Sequence, residues 1–169
     1  MLLDLRKLFL SEGESLPVSC EFDFSDVECF GGYPLKQPVK AEGIIENRAG
    51  VVGVRLVCRA EYTAPCDRCT ALCTETVTVP IDRVLVTERE SDDDDELIIL
   101  NDYKLDVQGL CYDEVIPNLP SKHLCRQDCK GVCPECGKDL NEGDCGCATK
   151  AVDPRLAKLS ALLDNDDQN

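Results

Sequence analysis

Thirteen cysteines in a chain of 169 residues carry most of its chemistry, and their spacing says which chemistry that is. Cys133-Pro-Glu-Cys136-Gly137 has the form of a zinc knuckle. The glycine lets the backbone turn tightly, so that amide groups point at the thiolate sulfurs and moderate their charge. An eight-residue excursion through Asn141-Glu-Gly143 then returns the chain to Cys145-Gly-Cys147. Thiolates at Cys133, Cys136, Cys145 and Cys147 can close a tetrahedral shell around one zinc ion, leaving no open position for catalysis. Such a shell supplies folding free energy to a segment too short to build its own core.

Other uses of these sulfurs fit less well. The count is odd, the pairs are only two or three residues apart, and no export signal precedes them, which argues against disulfides. An iron–sulfur cluster shares the ligand type. Redox catalysis by Cys133 and Cys136 would need a strand-to-helix junction that the local pattern lacks. Cys125 and Cys129 leave two arrangements open. Either could replace one of the four, or both could join Cys66 and Cys69 of Cys66-Asp-Arg-Cys69 in a second site pinning the tail to the body. Cys66 and Cys69 could equally be buried or free thiols. Cys20, Cys58 and Cys111 fall on apolar faces and read as core. His123 reads as a packed or exposed histidine rather than a ligand.

The elements that must position these residues are mostly strands. Leu16, Val18, Cys20, Phe22 and Phe24 alternate, as do Val52, Val54, Leu56, Cys58, Ala60 and Tyr62. With Val39 to Ile45 and a turn at Asn47-Arg-Ala-Gly50, the second run predicts a hairpin. A further strand through Val77, Val79 and Ile81 continues to Val84 and Val86, where Pro80 and a change of phase predict a bulge or an edge. Leu97 to Leu100 predicts a short buried strand. Leu105, Val107, Leu110, Cys111 and Val115 predict a helix ended by Pro117 and Pro120. Asp153-Pro154 opens a last helix carrying Leu156, Leu159, Leu162 and Leu163. The expected fold is α+β: an antiparallel β-rich domain over 1–120 with one or two helices, a zinc-binding module over 121–150, and a helix with an acidic tail over 151–169.

Charge narrows the partners. The formal net charge is −15, and residues 1–120 hold about eleven basic against twenty-four acidic side chains. The body should therefore repel a phosphate backbone. The tail is nearly balanced, and Lys122, Arg126, Lys130 and Lys138 are the candidate RNA contacts. Glu88 to Glu96 reads as a solvated, mobile acidic loop, and Asp92 to Asp95 within it lack the alternating spacing of a calcium site. The stretch Met1 to Leu10 is broken by Asp4, Arg6 and Lys7, unlike a signal peptide, and no apolar run reaches spanning length. The expectation is a cytoplasmic protein without membrane or small-molecule partners.

Met1-Leu-Leu-Asp-Leu-Arg, Cys66-Asp-Arg-Cys69, Asn118-Leu-Pro120, Cys129-Lys-Gly-Val-Cys133-Pro-Glu-Cys136-Gly, Asp139-Leu-Asn141, Cys145-Gly-Cys147 and Asp153-Pro-Arg-Leu156 together resemble the YceD family, described as large ribosomal RNA subunit accumulation proteins. The resemblance spans nearly the whole chain and implies a role in the synthesis, processing or protection of 23S ribosomal RNA. Some members lack the cysteine-rich tail, so zinc there would stabilise this branch rather than carry the shared activity. No phosphate-cradling loop, nucleophile elbow or zinc-protease helix appears, and one histidine leaves little for acid–base work. The expectation is therefore a non-enzymatic biogenesis factor that binds a large-subunit RNA precursor or a basic ribosomal protein. The alternative is a zinc-stabilised protein-interaction adaptor unrelated to ribosomes.

Overall fold

A computed structural model describes residues 1–87 and 97–147. The acidic run at 88–96 and the helix expected after Asp153 lie outside the described residues. The chain divides into two compact units, Met1–Cys129 and Lys130–Asn169. Residues 121–129 thus belong to the first unit, because Cys125 and Cys129 pack beside Cys66 and Cys69 there.

The first unit is built on a five-stranded sheet of β2 (Ser15–Phe22), β3 (Val39–Arg48), β4 (Val51–Pro65), β5 (Leu72–Val86) and β6 (Leu97–Ile99), hydrogen-bonded in that order. The first four strands run antiparallel; β6 joins β5 in parallel. The alternation in β4 is what the core requires. Val52, Val54, Leu56, Cys58, Ala60 and Tyr62 are all buried, each opposite an inward side chain or a glycine of a neighbouring strand. Fully burying an aliphatic side chain of this size stabilises by roughly 1.5–3 kcal/mol. The hairpin expected between β3 and β4 forms through Ala49-Gly50, both at positive φ, the backbone that matches strand twist in a two-residue turn. Gly43 on β3 is required by proximity, since a Cβ there would run into the Arg55 carbonyl oxygen.

β5 corrects the expected bulge in favour of the edge. Its register to β4 is unbroken from Val52↔Leu85 to Pro65↔Leu72, and β6 covers only Val84 to Val86. Pro80 sits where β5 has no second neighbour among the described residues, which suits a residue that cannot donate to a ladder. The phase change arises because Arg83 occupies an inward position, opposite Val54, and is taken up by Glu114 at 2.6 Å. Leu97 to Leu100 is not a buried strand throughout: Ile99 is 43% exposed and only Leu100 is buried.

Two short pieces escape the periodicity. β1 (Leu2–Asp4) pairs with β7 (Lys104–Asp106), and α1 (Arg6–Leu10) follows β1 with Leu8 buried. Asn47, itself buried, donates from Nδ2 to the Leu8 carbonyl at 2.8 Å and ties α1 to the hairpin. Helix α2 (Val107–Val115) starts where Asp106 accepts from the Gln108 amide, and it buries Val107, Cys111 and Val115 at four-residue spacing. Cys58 and Cys111 meet in the core with sulfurs 3.5 Å apart, both fully buried, while Cys20 is half-buried. These are packed thiols, not disulfides, as a bond would bring sulfurs to about 2.05 Å. No helix among the described residues is long and apolar enough to cross a membrane.

Candidate metal centres

Two groups of four cysteines converge, one in each unit. In each group all four sulfurs lie within 4.8 Å of one another. The first unites Cys66 and Cys69 with Cys125 and Cys129; the second unites Cys133, Cys136, Cys145 and Cys147. The six tail cysteines are thereby sorted: Cys125 and Cys129 go to the body's pair, and the knuckle keeps its own four.

The two pairs that open these groups are folded alike. In Cys66-Asp-Arg-Cys69 the Cys66 carbonyl accepts from the Thr70 amide at 2.9 Å, and the Cys66 amide donates to the Ala71 carbonyl at 2.8 Å. In Cys133-Pro-Glu-Cys136 the Cys133 carbonyl accepts from Gly137 and the Cys133 amide donates to Lys138, both at 2.8 Å. Thr70 and Gly137, in equivalent places, have φ of 62° and 74°. Each is a knuckle that turns its amides onto the sulfurs. The consequence is electrostatic. Amides, led by that of Cys125 and then that of Cys69, lower the Cys66 thiol to about 6. The Cys136 amide, followed by that of Glu135, lowers Cys133 to about 7. The later cysteines show the opposite. Hydrogen bonding to Cys69 pushes Cys125 up to about 12, and bonding to Cys136 does the same for Cys147. Thiolates crowded together cannot all ionise without a cation among them.

Sulfur separations favour a single ion. Cys66–Cys129 is 3.8 Å and Cys69–Cys125 is 3.5 Å. A tetrahedron with metal–sulfur bonds of about 2.3 Å has edges of about 3.8 Å. A disulfide would be far shorter. Cysteines around an iron–sulfur cluster are spread apart by the cluster's own sulfides. Both groups could therefore hold one metal ion, and each such shell of four sulfurs is closed.

The first site is assembled by its own knuckle. Asp67 and His123 exchange two hydrogen bonds: the Asp67 amide donates to the His123 carbonyl at 2.9 Å, and the His123 amide donates to Asp67 Oδ2 at 2.7 Å. Arg68 Nη1 donates to the Cys129 carbonyl at 2.7 Å. The two residues between Cys66 and Cys69 thus grip the segment that delivers Cys125 and Cys129. The His123 ring is buried, stands edge-on to Tyr62, and bonds Glu75 through Nδ1 at 2.8 Å. Its Nε2 lies 3.0 Å from Cys73 Sγ and 3.1 Å from the Cys73 carbonyl oxygen.

Sequence reasoning gave His123 no partner and Cys73 no role. Cys73, His123 and Glu75 have the connectivity of a nucleophile, base and orienting acid, but the electrostatics run the other way. Burial pushes the Cys73 thiol up, and the neighbouring Cys66 and Cys69 add to it. Burial disfavours a charged His123 ring, yet the Glu75 carboxylate and then the Cys73 carbonyl outweigh it and raise its pKa. Between the Glu75 carboxylate and the Cys73 carbonyl, the ring ties β5 to the segment that carries Cys125. The only signal for it was the alternation that puts Tyr62, Cys73 and Glu75 on one face.

The second site is held locally. Asn141 accepts from the Lys130 amide at 2.8 Å, and Asp139 Oδ1 accepts from the Asn141 amide and side chain at 2.8 and 2.7 Å. Val132 bridges to Asp139, and Lys138 Nζ donates to the Asp144 carbonyl at 3.0 Å. Of the candidate RNA contacts, Lys122 and Arg126 are exposed on the first unit, with Arg126 3.6 Å from Asp128. Lys130 and Lys138 are exposed on the second.

A family model described as "Large ribosomal RNA subunit accumulation protein YceD" matches residues 54–163, a stretch that contains both cysteine groups. Among curated relatives, the chain is 26% identical over 137 residues to the uncharacterised protein YlbN of Bacillus subtilis, covering 78% of each chain. It is 36% identical over 74 residues to an uncharacterised protein of Mycobacterium tuberculosis, covering 44% of this chain and 35% of that one. The match thus spans about a third of the mycobacterial relative's length. No solved structure matches.

Proposed function

Because the chain belongs to the YceD family, we propose that it is a non-enzymatic factor supporting accumulation of 23S ribosomal RNA, acting through a large-subunit precursor or a basic ribosomal protein. The observation that carries this reading is the family match, which covers most of the sheet and both cysteine groups. Each group would hold one zinc ion: Cys66, Cys69, Cys125 and Cys129 in the body, and Cys133, Cys136, Cys145 and Cys147 in the tail. Two closed four-sulfur shells offer no open coordination position, which supports a structural use of the metal. An acidic body favours a basic protein partner, and the exposed Lys122, Arg126, Lys130 and Lys138 are the groups available for RNA.

The test is depletion of the protein in its own cells, with 23S ribosomal RNA measured against small-subunit RNA, and co-sedimentation with large-subunit precursors over a salt series. The expected outcome is a selective fall in 23S RNA and a factor that travels with the precursor. Contact through the tail cations predicts that K130E/K138E lowers the salt slope of RNA binding by about one for each lost phosphate contact. An unchanged RNA ratio, with no co-sedimentation at low salt, would leave the adaptor reading in its place.

A further inference from the structure

Away from the two cysteine groups, α2 carries an outward face that nothing in the reading above uses. Two grooves flank it and share Asp106 and Gly109. One, of about 540 Å³, is lined by Leu2, Ile98, Ile99, Leu110 and Asp113. The other, of about 390 Å³, is lined by Asp23, Phe24, Asp26, Val27 and Tyr112. Leu2, Ile99 and Tyr112 are 68%, 43% and 41% exposed, which gives this face three large apolar side chains open to a partner. Gly109 leaves the ridge between the grooves without a side chain, and a Cβ there would come within 3.0 Å of Asp106 Oδ2. A partner's backbone can approach closely at that point.

Charge selects the partner. Four carboxylates line the two grooves, at Asp23, Asp26, Asp106 and Asp113. Asp26 and Asp113 make no ion pair with any described residue. Among the described lining residues the one basic side chain, Lys104, is already 3.0 Å from Asp102, and the N-terminal amine of Met1 is 3.2 Å from Asp106. Apolar anchors inside an acidic rim repel a nucleic-acid backbone, and they repel a second copy presenting the same face. They complement an amphipathic segment with apolar side chains on one side and Lys or Arg on the other.

We propose that the outer face of α2, with its two grooves, docks a Lys- and Arg-rich amphipathic segment of a protein partner. The inference deepens the reading of a basic ribosomal protein as partner and rests on it for biological context, though the surface can be tested alone. The probe is a fluorescent 18-residue peptide with leucine at i, i+3, i+4 and i+7 spacing and lysine elsewhere, titrated with the full chain. D26N/D113N removes two unpaired charges, and I99S removes an exposed apolar side chain. Each should weaken binding by about tenfold, because the charges steer and the apolar side chain anchors. E12Q/E61Q removes the same charge elsewhere and should change affinity less than about twofold, as screened distant charges do.

Equal weakening by E12Q/E61Q, or none by D26N/D113N and I99S, overturns the proposal. So does tighter binding of a poly-uridine of equal length at this face, or a loss of self-association in D26N/D113N, which would assign the face to RNA or to a second copy. Wild-type protein that fails to co-sediment with precursors refutes the ribosomal reading and leaves the peptide result standing. Wild-type peptide affinity in D26N/D113N refutes this surface and leaves the ribosomal reading standing.

Discussion

The two cysteine groups use one knuckle design in two different surroundings, and the difference separates a fold-building site from a local one. In the first group Cys66, Cys69 and Cys129 are buried and only Cys125 is exposed. Its two halves are 56 to 63 residues apart in sequence and meet at the end of the β4–β5 hairpin. In the second, only Cys133 is buried, and all four cysteines come from a stretch of fifteen residues, 133–147. An ion in the first site would close a long loop across the sheet's end; an ion in the second would order a loop around itself. The same chemistry thus has unequal consequences, set by how far apart the sulfurs start.

Removing one ligand from each site should expose that inequality most strongly. C129S leaves the buried Cys66 and Cys69 and the exposed Cys125 without their fourth partner. Thermal unfolding of the whole chain should show the sheet destabilised by about 3–5 kcal/mol, the scale of an uncompensated buried charge or a lost cross-link. C136S should release an ion held by the second group and leave unfolding of the sheet within about 0.5 kcal/mol of wild type, as a change at an exposed position does. Equal shifts in the two variants would mean that the units are not energetically separate and would break the comparison.

Arg68 is the next test, because the second knuckle has no counterpart. Pro134 and Glu135 occupy the places of Asp67 and Arg68, and the grip on a distant segment is peculiar to the first. R68A removes a charge-assisted hydrogen bond to the Cys129 carbonyl at 2.7 Å, a bond worth about 1.5–3 kcal/mol when partly buried. Competition with a chelating dye should show the first site's metal affinity reduced by about 10–100-fold, the usual effect of losing a group that orients ligands, with the second site unchanged. R68K keeps the charge without the fork and should show only part of that loss.

How much of this was legible beforehand depends on range. The strands of the hairpin could be read because β4 alternates without fault from Val52 to Tyr62, and burial on one face enforces that pattern. The second cysteine group could be read because its four sulfurs are neighbours in the chain. The first could be named but not chosen, because pairing Cys66 with Cys129 needs the sheet to exist first. β1, β7 and α1 were missed because three to five residues are too few for a period to show. Arg83 disguised the phase of β5 by placing a charge at an inward position, a substitution explained only by Glu114 on α2. The likeness of the two knuckles was hidden because Thr70 stands where Gly137 does.

That last difference is the smallest prediction and the one that bears most directly on the shared design. Thr70 holds φ of 62°, a conformation that a β-branched residue adopts only under strain, and it keeps its hydroxyl on the Cys69 carbonyl at 2.7 Å. At Gly137 a Cβ would meet nothing within 4 Å, so any cost of a side chain there is backbone strain alone. If the knuckles are equivalent, T70G should stabilise the first unit by up to about 1 kcal/mol, less what the glycine's freedom in the unfolded chain takes back. G137A should cost the second site about 1 kcal/mol and appear as a several-fold faster release of its metal to a chelator. Opposite signs at equivalent positions would establish that one backbone geometry serves both sites. A destabilised T70G would mean that the Thr70 hydroxyl matters more than its φ, and that the first knuckle is held by its side chains rather than by its turn.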